Sequence, residues 1–536
     1  MHRELRSGDR LPAPLPEADR RGSAGEDAMS GWGQGYITDI GYTRTHFREL
    51  MPRYLALTAL LQGFRPPDPD QPFRYLELGC GRALSLVAAA AAHPESTFVG
   101  IDFNPEHVAS ARRLIASAGL DNVVVHEADF ESFAAGALQG EPYDFVTLHG
   151  VFSWVSSDNR DHIVSILSRC VAPGGLVFLS YNAMPGWAPM MPLQRLLRAK
   201  AEEVTGRSDQ RIFEAIDFAR RLGEAKAGYF TANDGLSAQL TRIEGQDVRY
   251  LAHEYLNQSW TPHAFPDVAD ALAPAKLGFV GSTHFPNNVD RFVMSGELQT
   301  LVGTVSDWRL REYTRDLVVN TVFRRDVWGR GAERLSQDEQ QHLLSRIRLV
   351  AIADFPQPPT AFAIPVGEIR FSQDMARIVW SALQSGPMSI EEIGRSVAFS
   401  RENWLDYLTL LVHAGRAHPC RSAGTVAAAT RDRARRLNAA LQDEARVPAV
   451  AAFLASPLLC GALPLDPADQ LLYRLWTDHP EMDDASRADR LRNAIADHSL
   501  IAVPEGGSLE ELMAERANAG AVAARLRMWR DLGIEP

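Results

Sequence analysis

Residues 73–92 read FRYLELGCGRALSLVAAAAA, and the fold turns on how they are parsed. Phe73 to Leu78 is an apolar run of strand length, Gly79-Cys80-Gly81 supplies a tight turn, and the alanine-rich continuation favours a helix. Glycines suit a place where the backbone bends sharply at the carboxyl end of a buried strand and lets a ligand come close. The apolar stretch 83–92 is too short and too weakly hydrophobic to span a bilayer.

Outward from this unit, residues 97–102 (TFVGID) predict a second strand. The helix after it has Asn104 as cap, Pro105 in its first position and Gly119 at its end. Strands are expected at 122–126, 143–148 and 175–181, with a helix over 161–171 between the last two. Strands alternating with helices imply a doubly wound, Rossmann-like α/β sheet covered on both faces. From residue 193 to 260 the pattern is helical, which reads as an insertion after the fifth strand. Segments 276–282 (KLGFVGS) and 289–294 (VDRFVM) predict an antiparallel hairpin closing the sheet.

The expected organisation is a tail over 1–28 and an α/β domain over 29–300. A helical connector over 301–365 follows, ending in the Pro-rich linker 355–365. Residues 366–425 predict a winged-helix-like module of three helices (371–384, 389–398 with a Ser389/Glu392 capping box, and 401–414), and 426–536 a helical C-terminal domain. Residues 1–28 mix Arg with acids, Gly and Pro and have no apolar run, so they read as a disordered tail with Met29 as an alternative start.

At 536 residues the chain is long for one module, and 46% hydrophobic residues are enough for several cores. Lys and Arg number 55 against 67 Asp and Glu, a net charge of −12 that discourages bulk binding to nucleic acid or anionic lipid. The four cysteines, Cys80, Cys170, Cys420 and Cys460, form no CxxC pair, so no metal site or disulfide framework is expected and a reducing cytoplasm fits best. No membrane insertion is expected; the oligomeric state stays open between monomer and homodimer.

Three acids stand at three successive strand ends. Glu77 precedes the glycine turn, Asp102 ends the second strand, where a carboxylate suits the two hydroxyls of an adenosine ribose, and Asp129 follows the third, beside Phe130 for stacking on a base. A dinucleotide site would want a third glycine near position 84, where Leu84 stands. S-adenosylmethionine has no pyrophosphate and needs none. The cofactor set is Glu77, Gly79, Cys80, Gly81, Asp102, Phe103, Asp129, Phe130 and His149.

With His149-Gly150-Val151-Phe152-Ser153-Trp154-Val155, Ala172-Pro173-Gly174-Gly175 and Ser180 to Trp187 (SYNAMPGW), the chain resembles the class I S-adenosylmethionine-dependent methyltransferases of the bacterial group that carries a methyltransferase regulatory domain. That group includes rickettsial outer-membrane-protein lysine methyltransferases. Tyr250 to Asn257 (YLAHEYLN) with Trp260-Thr261-Pro262 is similar to its regulatory segment, so the resemblance spans roughly 36–294. Where members often have an aromatic this chain has Met184, and where they often have a His it has Ala188. The resemblance implies methyl transfer to a protein substrate, with lysine as acceptor.

Methyl transfer from a sulfonium is an in-line displacement, so the protein must position the acceptor and handle its proton. His149, past the fourth strand, and Tyr181 and Asn182, past the fifth, are the catalytic candidates. Tyr36, Tyr42, His46, Trp154, Trp187 and Tyr255 are the substrate-side candidates, the aromatics by cation-π attraction to sulfonium and ammonium. His46 belongs to a segment, 36–50, that reads as a lid. The insertion, with Tyr255, is expected to cover the acceptor side. Each has a plain packing role as its alternative. Competing readings are a small-molecule methyltransferase, a cofactor-sensing interaction protein and a DNA-binding regulator. Residues 371–420 hold four Arg and no Lys against five acids, which lacks the electrostatic footprint for DNA and favours a protein partner.

Overall fold

The computed structural model describes residues 33–41, 45–136, 140–233, 235–353, 357–444, 453–496 and 516–536. The expected tail, Met29 and Tyr42 lie outside them. Seven strands form the central sheet: β1 (Arg74–Leu78), β2 (Thr97–Asp102), β3 (Val123–Glu127), β4 (Tyr143–Leu148), β5 (Val171–Asn182), β6 (Leu277–Ser282) and β7 (Phe323–Arg330). Their spatial order is β3-β2-β1-β4-β5-β7-β6, with β1 to β5 parallel and β7 antiparallel to both neighbours.

The two-residue period of a strand sorts the core into two layers. Tyr75, Phe98, Phe145 and Phe178 face helices α1 (Pro52–Leu61), α2 (Leu84–Ala92) and α3 (Pro105–Ala118). Leu76, Val99, Val146, Val177, Leu179 and Trp328 face α5 (Ser157–Cys170) and the helix Phe265–Leu272, while α4 (Phe130–Gly136) follows β3. Local signals set the ends of α3: Asn104 accepts the Glu106 N–H, Pro105 takes the first turn, and Gly119 closes it at φ 60°.

The predicted hairpin is a misreading of its second strand. Residues 289–294 instead hold the short helix Asp290–Val293, and the partner of β6 is β7, reached only after the helices Gly296–Gly303 and Trp308–Val319. Hydrophobic patterning missed β7 because FRRDVWGR carries charges inward. Arg324 pairs with Asp316 at 2.8 Å and with Asp326 at 2.7 Å, and stacks over Phe265 at 4.3 Å. The sheet is therefore completed at Arg330, beyond the boundary at 300.

The insertion consists of helices Met191–Glu202, Ser208–Glu224, Gly228–Ala232, Leu236–Glu244 and Val248–Tyr255, which share an apolar cluster with Ile40. In the C-terminal half the three helices are Gln373–Gln384, Ile390–Ser396, with both halves of its capping box formed, and Arg401–His413. Among the described residues no wing hairpin directly follows them. The strand Ala417–Cys420 pairs instead with Arg348–Ala351 from upstream, which also pairs with Met388–Ser389. Two hairpins were not anticipated: Ala361–Ile364 with Gly367–Arg370, in and just after the expected linker, and Phe453–Ser456 with Gly461–Pro464, in the expected helical domain. The second hairpin and the helix Ala428–Glu444 pack on α2, and the same helix covers α3.

Candidate active site

Gly79 and Gly81 adopt φ of 71° and 55°, and the Gly79 and Cys80 N–H groups both donate to Ile101 O at 2.9 Å, pinning the turn to the end of β2. A Cβ on Gly79 would stand 2.6 Å from Val151 Cγ2, so the glycine serves close approach as well as backbone conformation. A cavity of about 150 Å³ opens above this turn, bounded by Glu77, Gly81, Asp102, Phe47 and His149. It adjoins a slot of about 50 Å³ between Phe103, Asp129, Phe130, Trp154 and Tyr36.

Asp102 is buried and organises both halves. Its Oδ2 accepts the Gly81 N–H at 2.7 Å, and its Oδ1 accepts the Asn104 N–H at 2.9 Å and faces His107 Nδ1 at 3.3 Å. Asp129 Oδ1 accepts the Ser132 N–H at 2.8 Å, fixing the carboxylate beside the slot. Glu77 is 6% exposed, and its Oε2 has no hydrogen-bond partner. Burial, and then the nearby Asp102 charge, push its carboxyl up to about 8. An orphaned acid in a cavity is a place for a cation. S-adenosylmethionine carries an ammonium and a sulfonium, a ribose diol for Asp102 and a base for the aromatic slot, so the residues present fit it.

All the expected cofactor residues line the cavity or the slot, as do Tyr36 and Trp154. Tyr36 meets Phe103 edge-on at 5.7 Å. Its segment is strapped to the insertion: Ile37 N–H donates to Asn257 Oδ1 at 2.9 Å, Gln258 N–H to Gly35 O at 2.9 Å, and Ser208 N–H and Oγ–H to the Asp39 carboxylate at 2.8 Å each. No described residue of 193–260 lines either space, so the insertion borders them through residues 33–41 and not with its own side chains.

His149 sits at the end of the cavity away from the slot, with its ring 3.9 Å from that of Phe47 and its Nδ1 3.0 Å from Ser180 Oγ, which also accepts the Gly150 N–H. Burial, helped by the Arg325 charge, lowers its pKa to about 3, so the imidazole is neutral.

Tyr181 and Asn182 are not in the cavity. The pleat turns Tyr181 to the opposite face of the sheet from Ser180, where its hydroxyl donates to Asp326 Oδ2 at 3.0 Å. Asn182 donates to Glu254 Oε1 at 2.9 Å. Trp187 packs edge-on against Trp260 at 5.0 Å, and Tyr255 is buried inside the insertion cluster. His46 points away from the cavity, onto Phe453 at 5.3 Å. The reason is alternation in an extended segment, since Thr45 and Phe47 face the cavity while His46 and Arg48 face the C-terminal half. Sequence reasoning missed Thr45, Phe47, Arg82, Ser85 and His107, although Thr45 and Phe47 fell in the segment read as a lid and Arg82 and Ser85 in the stretch 73–92. Among the described residues no group of His, Cys, Asp or Glu is arranged to hold a metal, and no helix is long and apolar enough to cross a membrane.

Residues 70–234 match a methyltransferase domain, and residues 247–330 a predicted methyltransferase regulatory domain. An uncharacterised protein of Synechocystis sp. is 33% identical over 444 residues, 82% of this chain and 87% of that protein. One from Rickettsia prowazekii is 26% identical over 235 residues, 41% of this chain and 86% of that protein. PKMT2 from Rickettsia typhi, solved in complex with AdoHcy, superposes with a TM-score of 0.66 at 18% identity, covering 92% of this chain and 99% of that one. The chain belongs to the S-adenosylmethionine-dependent methyltransferases that carry a methyltransferase regulatory domain.

Proposed function

We propose that the enzyme methylates lysine side chains of a protein substrate. The observation that carries this reading is the neutral imidazole of His149 at the apolar end of the cavity beside Phe47. When bound, S-adenosylmethionine supplies an electrophilic methyl group whose displacement needs an uncharged amine. Glu77 receives the positive charge of the amino-acid tail, Asp102 the ribose, and Asp129 with Phe103 and Phe130 the base. The apolar wall disfavours the ammonium form of an entering amine.

In the tautomer that donates Nδ1–H to Ser180, His149 Nε2 accepts an N–H from the acceptor and aims its lone pair. As a proton acceptor it is weak. A pKa of about 3 lies roughly 7 units below that of an ordinary lysine ammonium, about 10 kcal/mol uphill, so His149 orients the amine and the proton departs to solvent. The resemblance to the rickettsial lysine methyltransferases and the fold shared with PKMT2 support the same acceptor class. Incubation with radiolabelled S-adenosylmethionine and a lysate of the source cells, followed by acid hydrolysis of the protein fraction, tests it. The expected product is N-methyl-lysine. Label confined to small molecules, or released from protein by mild base as methyl ester, would overturn the proposal.

A further inference from the structure

A second cavity, of about 790 Å³, lies between α1, residues 65–72, the end of α2 and the strand Ala417–Cys420. Arg53, His93, Cys420 and Arg421 line it, and beside them is a sulfur that methyl transfer does not use, that of the fully buried Cys460. Arg53 Nε donates to Cys460 Sγ at 3.0 Å and Arg421 Nε donates to it at 2.9 Å. The backbone acceptors open to a thiol proton there are distant, Leu458 O and Pro457 O at 3.7 and 3.8 Å. His93, 4% exposed, stands beside the sulfur, with its Nδ1 2.9 Å from Ala89 O. Two permanent cations converge on one atom, an arrangement that suits an anion.

We infer that Cys460 is a thiolate that hydrogen peroxide oxidises, a modification site at the junction of the cofactor-binding sheet and the C-terminal half. The sulfur attacks one peroxide oxygen; the S–O bond forms as the O–O bond breaks, sulfur is oxidised, peroxide is reduced to the sulfenic hydroxyl and a hydroxide ion, and the hydroxide leaves to be neutralised by the buffer in bulk solvent. The product is a sulfenic acid whose oxygen the same two guanidinium groups can hold. The groups facing the sulfur are Arg53 from α1, His93 from the end of α2, and Cys420 and Arg421 from the strand, with Asp70 paired to Arg53. Burial alone would raise the Cys460 thiol; Arg53 first, then His93 and Arg421, outweigh it and bring the pKa down to about 5. Burial raises Cys80, Cys170 and Cys420 instead.

The site adjoins the segment that carries Thr45 and Phe47. Cys460 holds φ of 57°, and its neighbour Gly461 packs on Met51 and His46, where a Cβ would stand 2.7 Å from Met51 Sδ and 3.8 Å from His46 Nε2, so an oxidation that shifts the backbone at 460–461 reaches that segment.

The test treats the full chain with hydrogen peroxide in the presence of dimedone, a sulfenic-acid trap, and follows each cysteine by peptide mass spectrometry. Cys460 should take the label at least tenfold faster than Cys80, Cys170 and Cys420, at a rate nearly flat from pH 6 to 8, and Arg421→Gln should slow it. Calorimetry should show S-adenosylmethionine bound at least threefold more weakly after oxidation in the wild type and no change in Cys460→Ser. Label appearing first on another cysteine, or a Cys460 rate rising tenfold per pH unit as for an ordinary thiol, would overturn the assignment. If Arg421→Gln does not fold, the wild-type pH profile decides alone. An unchanged cofactor affinity after full oxidation would refute the coupling.

Discussion

Replacing Glu77 by Gln should make the empty protein more stable and its cofactor binding weaker. Burial and Asp102 raise this carboxyl from an ordinary 4.5 to about 8. The folded state thus holds a proton that the unfolded state has released, so stability is full below pH 4.5 and is lost as pH rises towards 8. At 1.36 kcal/mol per unit, the group costs about 1 kcal/mol at pH 5 and roughly 3 kcal/mol at pH 7. Glutamine keeps the shape without the titration. In denaturant unfolding of the α/β domain, the gap between Glu77→Gln and wild type should widen by about 2 kcal/mol between pH 5 and 7. With cofactor the order reverses, because the ionised acid faces the ammonium. Losing one charge-assisted hydrogen bond, about 1.5 to 3 kcal/mol, should weaken S-adenosylmethionine at least tenfold at pH 8. Wild-type binding should release close to one proton at pH 7, read from calorimetry in buffers of different ionisation enthalpy. A pH-independent stability gap, or equal affinity in the two proteins, would refute the reasoning.

His149→Asn should lower single-turnover methyl transfer by about 10- to 100-fold while leaving cofactor affinity within threefold and the acidic limb of the pH profile in place, since the imidazole is neutral throughout. Asp39→Ala removes both bonds to Ser208 and should speed cofactor dissociation, measured by stopped-flow fluorescence, with little change in melting temperature. Gly186→Ala places a Cβ 2.5 Å from Thr321 O and should cost about 1–3 kcal/mol in thermal denaturation, because backbone cannot yield as a side chain can.

The residues expected to hold the cofactor line one cavity and its adjoining slot, a grouping legible in the sequence because strand ends, glycines and acids follow from the parallel sheet itself. The acceptor half was not legible. Tyr181 and Asn182 were chosen by proximity to a strand end, but the pleat turns Tyr181 to the other face, Glu254 of the insertion holds Asn182, and Ser180 is the partner of His149. Strand β7 escaped because Arg324 and Asp326 satisfy each other inside the protein, a pairing that composition cannot reveal. Phe47 was hidden in a segment whose alternate residues serve two neighbours.

Helix α2 is buried at all nine positions, lying against the sheet on one side and the helix Ala428–Glu444 with its hairpin on the other. During synthesis its outer face has no cover until roughly 350 more residues have been added, about 20 to 70 s at cellular translation rates. A ribbon of alanines is a mild exposure compared with leucines, as each hides little apolar area from water. The small side chains that permit tight docking thus also make the wait on the ribosome tolerable.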